Sequence, residues 1–209
     1  ELQLAFFKSG VPHIDMPQDY AFFATMYKFA SKYNIKYILT GGNISTEGIR
    51  NPVSWMYYQT DSKQLMDIQR RFGKSKLKTF PITSIIWHKV WLRYFRGIKI
   101  SRVLDLIKYE KEDAKNLLIK KFNWQPYTQK HFESRFTKFY ESFWLPKRFG
   151  FDVRLVQFSS LILTKQMTRE SAIEELSKPS YNENLISKEI EFVYYSNLSN
   201  LRIGHTVCP

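Results

Sequence analysis

The stretch Tyr37-Ile38-Leu39-Thr40-Gly41-Gly42-Asn43-Ile44-Ser45-Thr46-Glu47 passes from an apolar run into two glycines, then into small polar residues that end on a carboxylate. In α/β proteins this is the pattern of a strand that delivers its carboxyl end to a ligand crevice. The glycines let the backbone turn and approach a ligand closely. Asn43, Ser45, Thr46 and Glu47 add donors, acceptors and one charge. The plainer alternative is a strand-to-helix turn with Ser45 or Thr46 as the helix N-cap.

Outward from this stretch the spacing of apolar residues is mostly helical. Residues 35–39 read as a buried strand. Before them, Phe22, Phe23, Met26, Tyr27, Phe29 and Ala30 recur at helical spacing over 20–33, with Asp19 placed to cap that helix. Residues 2–8 read as a helix stopped by Ser9-Gly10. After the glycine turn, helices are expected over 61–72, 84–95, 111–122 and 132–144. An apolar face runs along 152–165, Thr168 caps a further helix, and 186–193 adds one or two turns. Short extended pieces are expected at 77–82 and within 98–106. One clear strand against six or seven helical stretches predicts an α/β fold: a partial parallel sheet followed by a mainly α-helical C-terminal region.

The chain has 209 residues and 44% hydrophobic residues, enough for a substantial core. It opens on Glu1-Leu2 without a methionine and is expected to be a piece of a longer protein. No run is long enough to span a membrane. The single cysteine, Cys208, excludes an internal disulfide framework and a cysteine-rich zinc site, and a cytoplasmic location is expected. The histidines lack metal-ligand spacing, so no metal site is assigned within the chain. The net charge is +13, and residues 62–130 hold 17 Lys and Arg against five Asp and Glu, which suits an anionic partner.

A second constellation is Lys130-His131-Phe132-Glu133-Ser134-Arg135. His131 suits proton transfer near neutral pH, and Lys130 and Arg135 suit phosphate oxygens. If this segment is helical, Lys130 shares a face with Ser134 and His131 with Arg135; the alternative is a charged helix start making surface pairs. Asp19 is a third candidate, able to orient a ligand hydroxyl or a metal, though in such a position an aspartate is more often just an N-cap.

Four motifs in order carry a resemblance. Residues 14–19 (Ile-Asp-Met-Pro-Gln-Asp), 40–49, 130–137 and 167–170 (Met-Thr-Arg-Glu) are similar to those of bacterial N-acetyl sugar amidotransferases. These belong to the PP-loop, adenine-nucleotide alpha-hydrolase-like ATP pyrophosphatases of lipopolysaccharide (LPS) and O-antigen biosynthesis. The resemblance implies a partial Rossmann-like parallel sheet. It implies ATP, with Mg2+, adenylating the oxygen of a sugar N-acetyl group, and ammonia from a partner glutaminase displacing AMP to give an acetamidino group. The sugar would be nucleotide- or lipid-linked, with no specific nucleic acid partner. The implied catalytic residues are Glu47, His131 and Glu133. Those implied for nucleotide and substrate are Asp19, Thr40, Gly41, Gly42, Asn43, Thr46, Lys130 and Arg135.

Two departures stand out. The Ser-Gly-Gly-x-Asp-Ser loop that holds diphosphate is absent, and so are the family's N-terminal cysteines; zinc is expected only where those are present. The chain thus resembles the C-terminal half of such an enzyme. Residues 1–60 would be the end of the nucleotide-binding domain, 61–193 a mainly helical substrate and partner region, and 194–209 an irregular tail. Two other readings stay open: a PP-loop tRNA-modifying enzyme, whose basic block would bind RNA, and a non-catalytic fragment.

Overall fold

Strand β1 (Tyr37–Thr40) pairs in parallel with β2 (Lys99–Arg102), Tyr37 opposite Lys99 and Thr40 opposite Arg102. The computed structural model describes residues 1–127 and 129–197. Among them these two strands form the one sheet, and the fold is mainly helical with a small parallel sheet. Parallel pairing needs a long crossover. Here it passes through α3 (Ile44–Glu47), α4 (Ser62–Phe72) and a π-helix (Trp87–Phe95) before returning to β2. Both strands therefore end on the same side, at Thr40 and Arg102.

Helices α1 (Leu2–Ser9) and α2 (Met16–Lys32) precede β1. Helix α2 starts four residues earlier than its apolar spacing suggests, because Pro17 occupies the first turn, where a missing N–H costs nothing. Asp19 is thus inside the first turn and is not the cap. A core of Leu2, Phe6, Met16, Tyr20, Leu65 and Ile68 joins α1, α2 and α4. Residues 77–82, expected to be extended, form no strand. Pro81 lacks a ladder donor, and Leu77 and Phe80 instead pack on that core. Leu65 is fully buried there. Leu65→Ala should cost about 2–5 kcal/mol in a urea unfolding experiment; a loss below ~1 kcal/mol would mean that α4 is not part of this core.

A second cluster (Tyr27, Ala30, Leu92, Ile98) lies between α2, the π-helix and Ile38 of β1. Strand β1 is not the buried strand expected: Ile38 packs inward, while Leu39 is 68% exposed and Tyr37 63%. The cover reaches Ile38 but not its β2 partner Ile100, which is 54% exposed. Residues 84–95 are helical, but from Trp87 onward with wide turns, as in the bond from Arg96 N–H to the Trp91 carbonyl.

After β2 a 3-10 turn (Val103–Leu106) leads to α5 (Lys111–Phe122). The C-terminal region holds α6 (Arg135–Phe139), a π-turn (Tyr140–Trp144), α7 (Leu145–Phe149), α8 (Arg154–Leu163), α9 (Arg169–Ser177) and α10 (Glu183–Asn197). Ile14, Phe139, Tyr140, Leu145, Val153, Ile186 and Val193 form its core. Thr168 caps α9 as expected, accepting from Ser171 N–H. Helix α10 runs four residues into the stretch expected to be irregular; 198–209 lie outside the described residues.

Candidate functional site

The glycine turn sits at the carboxyl end of β1. The N-cap of α3 is Asn43, not Ser45 or Thr46: its buried side chain accepts from Thr46 N–H at 2.9 Å and from the Thr46 hydroxyl at 3.2 Å. Asn43 and Thr46 thus hold the turn itself in shape. The Thr40 hydroxyl accepts from Gly42 N–H at 3.1 Å. A Cβ on Gly42 would lie 3.0 Å from Glu47 Oε2 and 3.7 Å from Arg102 Nε, so a side chain there would crowd the site. A Cβ on Gly41 would meet nothing within 4 Å, so its backbone is open to a ligand.

Charges alternate around this turn. Asp105 accepts from Ile44 N–H at 2.7 Å and pairs with Arg102 at 2.9 Å. Lys130 reaches across from a turn 83 residues later to pair with Glu47 at 2.8 Å. Gln166 ties the neighbouring walls together: it donates to Ser45 Oγ and to the Tyr109 carbonyl, both at 2.9 Å, and accepts from Lys111 N–H at 3.0 Å. Beside it opens a cleft of about 1340 Å³ whose lining includes Lys111, Lys130, Lys165, Gln166 and Arg169.

The next residue in the same turn, His131, faces a second cluster. The 130–134 segment is not helical. His131 adopts a left-handed conformation (φ 68°), rare outside glycine and asparagine, and α6 starts only at Arg135, capped by Ser134. The left-handed kink sends Lys130 to Glu47 while His131 Nδ1 meets the buried carboxylate of Glu141 at 2.9 Å. The expected pairing of faces, Lys130 with Ser134 and His131 with Arg135, therefore does not occur. Burial opposes a charge on His131, but the hydrogen bond and charge of Glu141 outweigh it and raise its pKa above the ordinary value.

Asp15 and Asp19 complete this cluster. Asp15 is buried; its Oδ2 accepts from the Thr137 hydroxyl at 3.1 Å, and its Oδ1 has no partner among the described residues. Burial, then the charge of Asp19, pushes Asp15 up to about 7. Burial likewise pushes Asp19 up to about 6, against the pull of His131 and a 2.6 Å bond from Gln59. Asp15, Asp19, Glu141 and the His131 imidazole thus share a half-buried space, with Asp15 and Asp19 raised toward neutral pH and His131 raised above its ordinary value. Among the described residues no group of three or more His, Cys, Asp and Glu is arranged to hold a metal ion.

Two expected site residues lie apart from this arrangement. Arg135 pairs with Glu189 of α10 at 2.8 Å and stacks its guanidinium on Phe192, 3.9 Å from the ring centre. Glu133 is exposed, close enough to His131 for its charge to act there.

Residues 133–199 match the family model "LPS biosynthesis protein WbpG-like, C-terminal domain". The match supports the resemblance to the C-terminal half of an LPS-biosynthesis, amidotransferase-like family, and it links the chain to LPS biosynthesis. No curated protein and no solved structure matches the chain. The matched segment contains Glu133, Arg135 and Glu141, while Lys130 and His131 lie just before it. No helix among the described residues is long and apolar enough to cross a membrane.

Sequence reasoning missed Arg102, Asp105, Glu141 and Gln166, and used Asp15 only as part of a motif. Arg102 and Asp105 could have been found by inspecting the end of the second strand of a parallel pair, because both strands end on one side. Glu141 stands ten residues after His131 and has no local signal.

Proposed function

We propose that the site at the Lys130–His131 turn belongs to an ATP-dependent amidotransferase that converts a sugar N-acetyl group into an acetamidino group, with ammonia supplied by a glutaminase. ATP, as co-substrate, supplies an adenylyl group to the acetyl oxygen with loss of diphosphate, and ammonia then adds to the activated carbon, expels AMP and loses a proton. Thr40–Asn43 and Lys130 are the residues that would hold the nucleotide. The fit rests on the open backbone at Gly41 and on the cation carried to the strand ends by Lys130.

One observation carries the reading: a single turn holds Lys130 against Glu47 at the strand edge and His131 against Glu141 in the carboxylate cluster. Lys130 suits the charge that builds during phosphoryl activation. His131 suits the proton lost when ammonia adds. Glu141 on Nδ1 fixes the tautomer with its lone pair on Nε2, which makes no hydrogen bond among the described residues. Glu141 is a positioning residue in this account. Glu133, exposed and without such an orienting partner among the described residues, is the weaker candidate for the same proton.

The test is amidine formation by the full-length enzyme from a nucleotide- or lipid-linked N-acetyl sugar, ATP and ammonium, followed by mass spectrometry. An ATP-dependent amidine supports the proposal; ATP turnover that requires tRNA and leaves the sugar unchanged rejects it.

A further inference from the structure

The basic excess of the chain is concentrated in two segments that hold no carboxylate at all. Residues 68–104 contain ten Lys and Arg and no Asp or Glu; residues 20–46 contain three lysines and no Asp or Glu. The fold packs these segments together. Tyr27 of α2 meets His88 of the π-helix with ring centres 4.0 Å apart, and Leu92 is buried against Tyr27 and Ala30. The Arg96 guanidinium donates to the Ser31 carbonyl, and Lys36 Nζ donates to the Arg96 carbonyl at 2.8 Å.

The outer side of this lobe is apolar. The wide turns of the π-helix bring residues four and five apart onto one face, and Ile86, Val90, Trp91, Tyr94 and Phe95 share it. Ile86 is 73% exposed, Tyr94 72% and Phe95 68%, with Val90 and Trp91 also exposed. Trp91 and Phe95 stack with ring centres 5.0 Å apart. Lys89 and Arg93 lie on the polar flank of the same helix, and Arg96 closes its end. Helix α2 exposes Phe22, Phe29 and Tyr33 as well.

We propose that the Ile86–Phe95 face is a membrane-docking surface that lies in the interface of an anionic lipid bilayer. An aromatic and aliphatic helix face flanked by Lys and Arg is what inserts shallowly among headgroups while cations engage anionic lipid. Tryptophan and tyrosine favour that depth because their rings are amphipathic. The π-helix that carries the face has no carboxylate of its own, so the repulsion that acidic residues would meet there is absent; Asp67 and Asp105, which pair with Arg70, Arg71 and Arg102, flank the basic segment. Single-stranded RNA is disfavoured as the occupant: bases stack on rings, whereas Ile86 and Val90 offer them no such face. The proposal is independent of the amidotransferase reading.

The test is co-sedimentation of the full-length protein with phosphatidylcholine vesicles and with phosphatidylcholine–phosphatidylglycerol vesicles. Binding is expected only to the anionic vesicles and to weaken with salt. Lys89→Gln and Arg93→Gln should each weaken it roughly fivefold, and the Trp91→Ser/Phe95→Ser pair by about tenfold or more. Phe122→Ser, at an equally exposed ring on α5, should bind as the parent does, and circular dichroism should show all variants folded. Equal binding to neutral vesicles, or unchanged binding by folded face variants, overturns the proposal. So does a result in which these substitutions abolish self-association or RNA binding and leave vesicle binding unaffected.

Discussion

Alanine at His131 lowers amidine formation by about 10²-fold or more with ammonium as the nitrogen donor, the usual scale for an acid–base group. Using ammonium removes the glutaminase from the measurement, so the loss reports the synthetase site alone. Glu47→Ala has an effect of the same order, because it releases Lys130 from the position at the strand edge that the 2.8 Å pair maintains. The Glu47 change should not unfold the protein, and circular dichroism should show the His131 variant folded although it removes the partner of the buried Glu141. Glu47 and Lys130 are partly exposed, and pairs of that kind contribute ~1 kcal/mol or less.

Glu141→Gln distinguishes positioning from bulk packing. It keeps the shape and a hydrogen-bond acceptor but removes the charge that raises the pKa of His131. A general base works in its neutral form, so the acid limb of the rate profile should move to lower pH in this variant. An unmoved limb with near-normal rate would make His131 structural.

Asp15→Asn is expected to stabilise the fold at pH 8 by roughly 2–4 kcal/mol and to change it little at pH 4, from the 1.36 kcal/mol that each pKa unit represents. The folded-state pKa of Asp15, about 7, lies above the ordinary 3.8. Stability from the protonated carboxyl is therefore fully present below about pH 4. It is lost as pH rises toward 7, because the unfolded chain has already released the proton that the fold retains. Asparagine stays neutral throughout and escapes that loss. The interaction with the Thr137 hydroxyl can persist through its amide oxygen. Melting temperatures of parent and variant from pH 4 to 8 should diverge steadily; a constant difference contradicts the placement of Asp15 in this cluster.

The strand and the glycine turn were legible in the sequence because their signals are local. Apolar residues 37–39 stop at Gly41-Gly42 and a short helix follows, although its cap is Asn43 and not the expected Ser45 or Thr46. The helices at 61–72 and 111–122 were legible for the same reason, from the spacing of their own apolar residues. The features that were not legible depend on pairing across the chain. Residues 77–82 have the composition of a strand but no neighbour to pair with, and Pro81 breaks the ladder. Residues 130–134 resemble a helix start, yet the left-handed His131 delays the helix to Arg135. That kink, which periodicity cannot reveal, splits the Lys130–Arg135 constellation. Lys130 goes to the strand edge, His131 to the acidic cluster and Arg135 to α10. The burial that shifts Asp15 and Asp19 is likewise a product of the assembled fold.

The most direct measurement tracks oxygen. The sugar substrate is prepared with oxygen-18 in the carbonyl of its N-acetyl group and incubated with the full-length enzyme, ATP and ammonium. Activation of that oxygen and displacement of AMP carry the label into the phosphate of AMP, and the amidine product emerges without it. Label retained in the sugar product, or AMP formed without label, would contradict the account.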